Sequence, residues 1–142
     1  MAGVLDGLKV LDLSWGISGP MTGMLLADHG ADVTRIERPQ GDPFAGLLGY
    51  KVWHRGKKNA VLDLANAGDI GLFKKLVSDA DVLIESMTPG KMKKMGLDYD
   101  ELSKLNPRLV YCSISAFGDD DPRSAYDAQV AAESGLQYEQ RG

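Results

Sequence analysis

The sequence predicts an α/β domain of Rossmann-like, doubly wound type: a mainly parallel sheet with flanking helices. Two observations carry that expectation. Five short runs rich in leucine, isoleucine and valine recur along the chain, separated by segments of helix length, as crossover connections between parallel strands require. Glycine or proline stands at the end of several of those runs, where a strand gives way to a turn.

Residues 8–14 read as the first strand, stopped at Trp15-Gly16. Pro20 then occupies the place of a first helical residue, with Ser18 or Gly19 as the cap. The helix 20–29 closes at Gly30. Residues 33–38 form the second strand, ended by Pro39. The stretch 39–57 is loop-like, with room for a short helix around 44–48. Residues 60–64 are the third strand. The segment 67–79 is helical, with Ile70, Phe73, Leu76 and Val77 on one face. Residues 81–85 are the fourth strand, ended by Pro89-Gly90. Short helices follow near 90–95 and 98–105, the second opening on Asp98 with Glu101 three residues on, a capping-box spacing. Residues 109–115 are the fifth strand, and a helix is expected over 125–136. No internal repeat or low-complexity segment interrupts this order.

Length and composition limit the functions available. A chain of 142 residues with 44% hydrophobic content buries a core as one domain. A single cysteine excludes a disulfide scaffold and suits a reducing compartment. No apolar run approaches the ~20 residues of a membrane span, and the N-terminal stretch lacks the regions of a signal peptide. The chain is therefore expected to be soluble and cytoplasmic, with no membrane partner. The net charge of −4 argues against nucleic acid. Residues 1–118 balance, and the deficit lies wholly in 119–142. Two local basic clusters, one from Arg35 to Lys58 and one of Lys91, Lys93 and Lys94, suit a polyphosphate ligand or a solvated face equally.

In sheets of this kind ligands bind outside the carboxyl ends of the strands. Gly16, Gly19 and Gly23 follow the first strand in a G-x-x-G-x-x-x-G pattern. They serve either a nucleotide, with Glu37 as ribose acid, or close packing of helix on strand. Arg38 and Arg55-Gly-Lys-Lys are phosphate partners or exposed bases. His29 suits a helix C-terminus, Cys112 a core position, and Asp119-Asp-Asp-Pro a solvated turn. His29 and His54 have no metal partners at ligand spacing, so no metal is expected. Asp127 is a carboxylate candidate for nucleophilic or acid–base work by residue type alone, or an acid favoured at a helix start.

Taken in order, these segments resemble the N-terminal part of the class III CoA-transferases (the CaiB/BaiF type, which includes formyl-CoA transferase and α-methylacyl-CoA racemase). The residues that carry the resemblance run from Leu5-Asp-Gly-Leu-Lys-Val-Leu-Asp-Leu and Gly19-Pro20 through Leu26-Ala-Asp-His-Gly-Ala-Asp-Val, Ile36-Glu-Arg-Pro and Gly41-Asp-Pro. They continue with Arg55-Gly-Lys-Lys, Leu62-Asp-Leu, Ala80-Asp-Val-Leu-Ile-Glu, Pro89-Gly90, Gly96-Leu-Asp-Tyr and Leu105-Asn-Pro-Arg-Leu-Val-Tyr. Ser113-Ile-Ser-Ala-Phe-Gly, Asp121-Pro122 and Ala125-Tyr-Asp complete the series.

The resemblance implies that residues 1–142 are the N-terminal part of a CoA-binding Rossmann-like domain, with the small domain and C-terminal segment absent. It implies CoA contacts at Ile17, Ser18, Arg38, Leu62, Asp63, Leu64, Ala65, Ser86, Met87, Thr88, Lys94, Ser124, Ala125, Tyr126 and Asp127. Lys94 stands where related transferases can have arginine, and Ile17 where some have glutamine. Tyr126 stands where the racemases have a catalytic histidine, which favours transferase over racemase; a non-catalytic nucleotide-binding or interaction module is the other alternative. The implied substrates are an acyl-CoA and a carboxylic acid acceptor, with a homodimer expected of the full-length protein. The implied mechanism passes through an aspartyl acyl anhydride. Its aspartate falls beyond Gly142 and is not matched by Asp127, so the 142 residues alone are expected to be inactive.

Overall fold

In the computed structural model, which describes residues 3–123 and 126–140, β1 (Lys9–Leu13), β2 (Asp32–Glu37), β3 (Lys58–Val61), β4 (Val82–Glu85) and β5 (Val110–Ser113) form one sheet. The strand order is β3-β2-β1-β4-β5, and all four adjacent pairs are parallel. Between them run α1 (Ser18–Asp28), α2 (Tyr50–Trp53), α3 (Ala67–Ser78), α4 (Lys91–Lys94) and α5 (Tyr99–Leu105); α6 (Asp127–Glu133) and α7 (Leu136–Glu139) follow. The order reverses between β1 and β4, which makes their carboxyl ends the topological switch point of the sheet.

Strand alternation sorts the core into two clusters. Leu11, Leu13, Ile36 and Leu83 pack with Phe73 and Val77 of α3, Met92 of α4 and Leu102 of α5. Val10, Val33 and Ile84 turn the other way, with Leu26 and Ala27 of α1 packed against them. The same alternation puts Asp12 and Arg35, which are register partners on β1 and β2, among the buried residues. Buried Asn106 ties the end of α5 to that of α3, its amide donating to the carbonyls of Val77 and Ala80 at 3.0 and 2.6 Å.

Several boundaries differ from the sequence expectation, each for a local reason. Helix α1 begins at Ser18 with Ile17 as its cap and no side-chain capping bond. Pro20 therefore lies in the third helical position, where its missing N–H is still an orphan donor. Strand β3 runs Lys58–Val61, so it begins two residues and ends three residues earlier than expected. There the Asp63 carboxylate accepts from the Ala65 N–H at 3.0 Å and the Asp63 N–H donates to Asp69 at 2.8 Å, which bends the chain into α3. The short helix expected near 44–48 is a series of turns, and α2 follows it. Asp98 makes no side-chain capping bond, and the Glu101 side chain pairs with Lys104. The helix expected over 125–136 is split between α6 and α7 at Gly135, whose φ of +80° an L side chain resists.

Candidate functional site

A cavity of about 440 Å³ opens at the carboxyl ends of β1, β2 and β3. Its floor and walls come from Leu13, Leu62, Leu64, Met87 and Met95; Ser14, Trp15, Arg38, Asp63, Ala65 and Lys91 complete its rim. The outer wall is the strap after β2, which contributes Gln40, Gly41, Asp42 and Pro43. Arg38, exposed at the strand end, uses its Nε to donate to the Gly41 carbonyl at 2.8 Å. No bond of its two terminal nitrogens to another described residue holds them, so a planar pair of donors faces outward, the geometry that grips a phosphate.

The buried charges beneath this rim are internally matched. Lys57 Nζ lies 2.6 Å from Asp12 Oδ2 and 2.8 Å from the Pro20 carbonyl. Both side chains of the pair are almost fully buried. Burial pushes the Lys57 ammonium below its ordinary pKa, and the Asp12 charge opposes that. Asp12 Oδ1 accepts from the Ser14 N–H at 3.0 Å and from the Ser14 hydroxyl. Arg35 bonds to Asp42 at 2.9 Å and to Glu37 at 3.3 Å, and its guanidinium lies 5.4 Å from the centre of the Tyr50 ring.

His54 sits against this cluster, its ring 4.6 Å from that of Tyr50 and its Nε2 3.9 Å from Asp42. Both ring nitrogens are buried without a hydrogen-bond partner. Burial, then the charges of Arg35 and Lys57, push its pKa down to about 4. The unfolded chain takes up a proton on this ring below pH 6.5 while the folded chain resists it to about pH 4, so stability is lost as the pH falls through that window. His54→Phe is expected to reduce acid sensitivity between pH 6.5 and 4.5 by about 1–2 kcal/mol, read by urea unfolding at each pH. Equal pH slopes for variant and wild type would refute this.

The structure brings together Arg38, Leu62, Asp63, Leu64, Ala65 and Met87 of the residues singled out from the sequence. Ile17 and Ser18 lie at the start of α1, just after the rim residue Trp15. The Ser86 hydroxyl bridges the Trp15 N–H and carbonyl at 3.0 and 3.1 Å. Thr88 lines a second, more open cavity beside β5, with Glu85, Tyr99 and Tyr111. Lys94 is exposed on α4 and lines neither cavity; its neighbour Lys91 reaches the first. Tyr126 and Asp127 begin α6, exposed and in neither lining. Ser124 and Ala125 lie outside the described residues.

The basic run before β3 is consumed within the fold: Arg55 pairs with Asp28, Lys57 with Asp12 and Lys58 with Asp32. Gly19 and Gly23 serve packing, since a Cβ would stand 2.2 Å from Ser14 Cβ and 2.6 Å from Asp12 Oδ2 respectively. Trp15 and Lys91 are rim residues that the sequence reading did not assign as contacts; a tryptophan directly after a strand end was the available signal for the first. Among the described residues no group of three or more His, Cys, Asp and Glu is placed to hold a metal ion. No helix among them is long and apolar enough to cross a membrane.

A five-stranded parallel sheet with flanking helices and a cavity at its strand ends defines a Rossmann-like α/β domain. The chain belongs to CoA-transferase family III, whose sequence description matches residues 5–141. It is 42% identical over 146 residues to the acetyl-CoA:oxalate CoA-transferase of Acetobacter aceti, covering 94% of this chain and 38% of that protein. It is 35% identical over 147 residues to the succinyl-CoA:glutarate CoA-transferase of Homo sapiens, covering 94% and 34%. A crystal structure of the hypothetical protein Rv3272 from Mycobacterium tuberculosis matches with a TM-score of 0.92 at 35% identity, over 95% of this chain and 41% of that one. The chain thus spans well under half the length of these relatives.

Proposed function

We propose that the cavity at the ends of β1, β2 and β3 binds the CoA moiety of an acyl-CoA, and that these residues are the CoA-binding part of an acyl-CoA:carboxylate CoA-transferase. The observation that carries the reading is Arg38: an exposed guanidinium whose two terminal nitrogens bond no other described residue, set on the rim of a largely apolar cavity with Lys91 on the same rim. An apolar wall suits the uncharged parts of the ligand and the cations suit its phosphates. Both CoA-transferases compared above are named for dicarboxylates, which supports a dicarboxylate acceptor.

In this reading the residues described here bind and orient the thioester, and the nucleophile is an aspartate carboxylate outside residues 1–142. It attacks the acyl carbonyl carbon, CoA leaves as thiolate, and the acyl group is held as a mixed anhydride. Asp127, exposed at the start of a helix and outside both cavities, is not given that role. Calorimetry is expected to show CoA binding that weakens with added salt and weakens again for dephospho-CoA, which lacks a phosphate. Arg38→Ala is expected to reduce CoA affinity by about 1–2 kcal/mol through loss of a charge-assisted contact. Absence of binding at millimolar CoA, or tighter binding of NAD than of CoA, would overturn the proposal.

A further inference from the structure

We propose that His54 is an acid-operated latch on the strap: a proton taken up by its ring releases residues 39–54 while the core stands, and so takes down the outer wall of the cavity. The segment lies outside the core, since neither core cluster contains a residue between 39 and 57. It is tied down by Asp42 on Arg35, by the Tyr50 ring over the same guanidinium and by Phe44 against Trp15. The exposed pair of Arg55 with Asp28 follows directly after it. A segment attached in this way opens locally at less cost than the sheet unfolds.

His54 caps the C-terminal end of α2, and its ring packs 4.6 Å from that of Tyr50 on the same helix. The side chain is 9% exposed, and neither ring nitrogen bonds another described residue. Asp42, 3.9 Å from Nε2, is already engaged: Oδ2 accepts from Arg35 at 2.9 Å and Oδ1 from the Phe44 N–H at 2.8 Å. The other charges that face the ring are Arg35 on β2, Lys57 ahead of β3 and Asp12 on β1, and the last two are matched to each other. A proton on the seated ring therefore meets no free acceptor and stands near two cations, whereas a released ring is solvated by water. The seated ring titrates at about 4 and an exposed one at 6.5, so from pH 7 to pH 5 the released form gains about twentyfold over the seated one. Asp42 and Pro43 line the cavity, which a released strap leaves open on that side. The effect on CoA rests on the reading above; the latch itself does not.

Hydrogen exchange of the whole chain, corrected for the intrinsic effect of pH on amide exchange, tests the latch. The backbone N–H groups of Tyr50, Val52, Trp53 and His54 are all hydrogen-bonded within this segment. Their protection is expected to fall about twentyfold from pH 7 to pH 5, while the amides of β1 and β4 keep theirs. His54→Phe keeps a ring beside Tyr50 and cannot titrate, so protection there should stay level; His54→Gln carries the same comparison should His54→Phe fold poorly. Unchanged protection of the segment in wild type overturns the latch. So does a fall shared equally by β1 and β4, or one as large in the His54 variants as in wild type. At pH 5, CoA at ten times its Kd should raise the protection of the segment about tenfold by favouring the seated form. CoA that binds without raising it overturns the link between latch and cavity. CoA that does not bind at either pH overturns the CoA reading and not the latch.

Discussion

Lys57→Met is expected to cost about 3–5 kcal/mol of folding stability, because it leaves the Asp12 carboxylate buried without its counter-charge. The side chains of Asp12 and Lys57 are 0% and 1% exposed, so water cannot replace the lost ammonium. Against a total stability of about 5–15 kcal/mol for a domain of this kind, such a loss is large. The double variant Asp12→Asn/Lys57→Met removes both charges while keeping an oxygen to accept from Ser14. It should recover at least half of the deficit, since breaking one partner of a buried pair is worse than replacing both. Urea unfolding of the three proteins checks this. A Lys57→Met chain within 1 kcal/mol of wild type would show that the pair is not buried as described.

Gly19→Ala should cost about 2–3 kcal/mol, although alanine is intrinsically the better helix former. The added Cβ would stand 2.2 Å from the Cβ of Ser14, which is fixed to the β1 backbone, so α1 must move off the sheet. Gly71→Ala in α3 is the opposite case: no atom lies within 4 Å of the added methyl, and the exchange should stabilise by about 0.5–1 kcal/mol. Thermal and urea unfolding of the two variants must therefore move in opposite directions. Shifts of the same sign would refute the packing assigned to α1.

The sheet was legible in the sequence because its strands are apolar runs that stop at glycine, proline or a turn. The pattern at residues 10–13, where Val10 and Asp12 alternate with Leu11 and Leu13, did not announce that Asp12 is buried. That fact depends on Lys57, 45 residues away, meeting it across α1. The same distance in sequence hid the fate of the basic run. Arg55, Lys57 and Lys58 look like a phosphate grip until β3 is laid beside β2, which brings Asp28, Asp12 and Asp32 to them. Arg38 was legible because it directly follows a strand, at the position where such sheets offer side chains to ligands. The start of α1 and the end of β3 were misread because proline tolerates any of the first helical positions and because the turn at Asp63 is made by its own side chain. Whether Lys91 or Lys94 reaches the cavity depends on how a four-residue helix is rotated, which a run of lysines does not encode.

The strap between β2 and α2 is joined to the sheet through Asp42, which Arg35 holds from below and whose other oxygen accepts from the Phe44 N–H at 2.8 Å. The whole connection from β2 to β3, twenty residues with one short helix, would otherwise sample many arrangements and lose that freedom only when something bound. Here the freedom is already lost when the sheet forms, so the outer wall of the cavity stands before any ligand arrives. A ligand then meets an existing shape, and that shape is tied to the integrity of the guanidinium–carboxylate contact that anchors the outer wall.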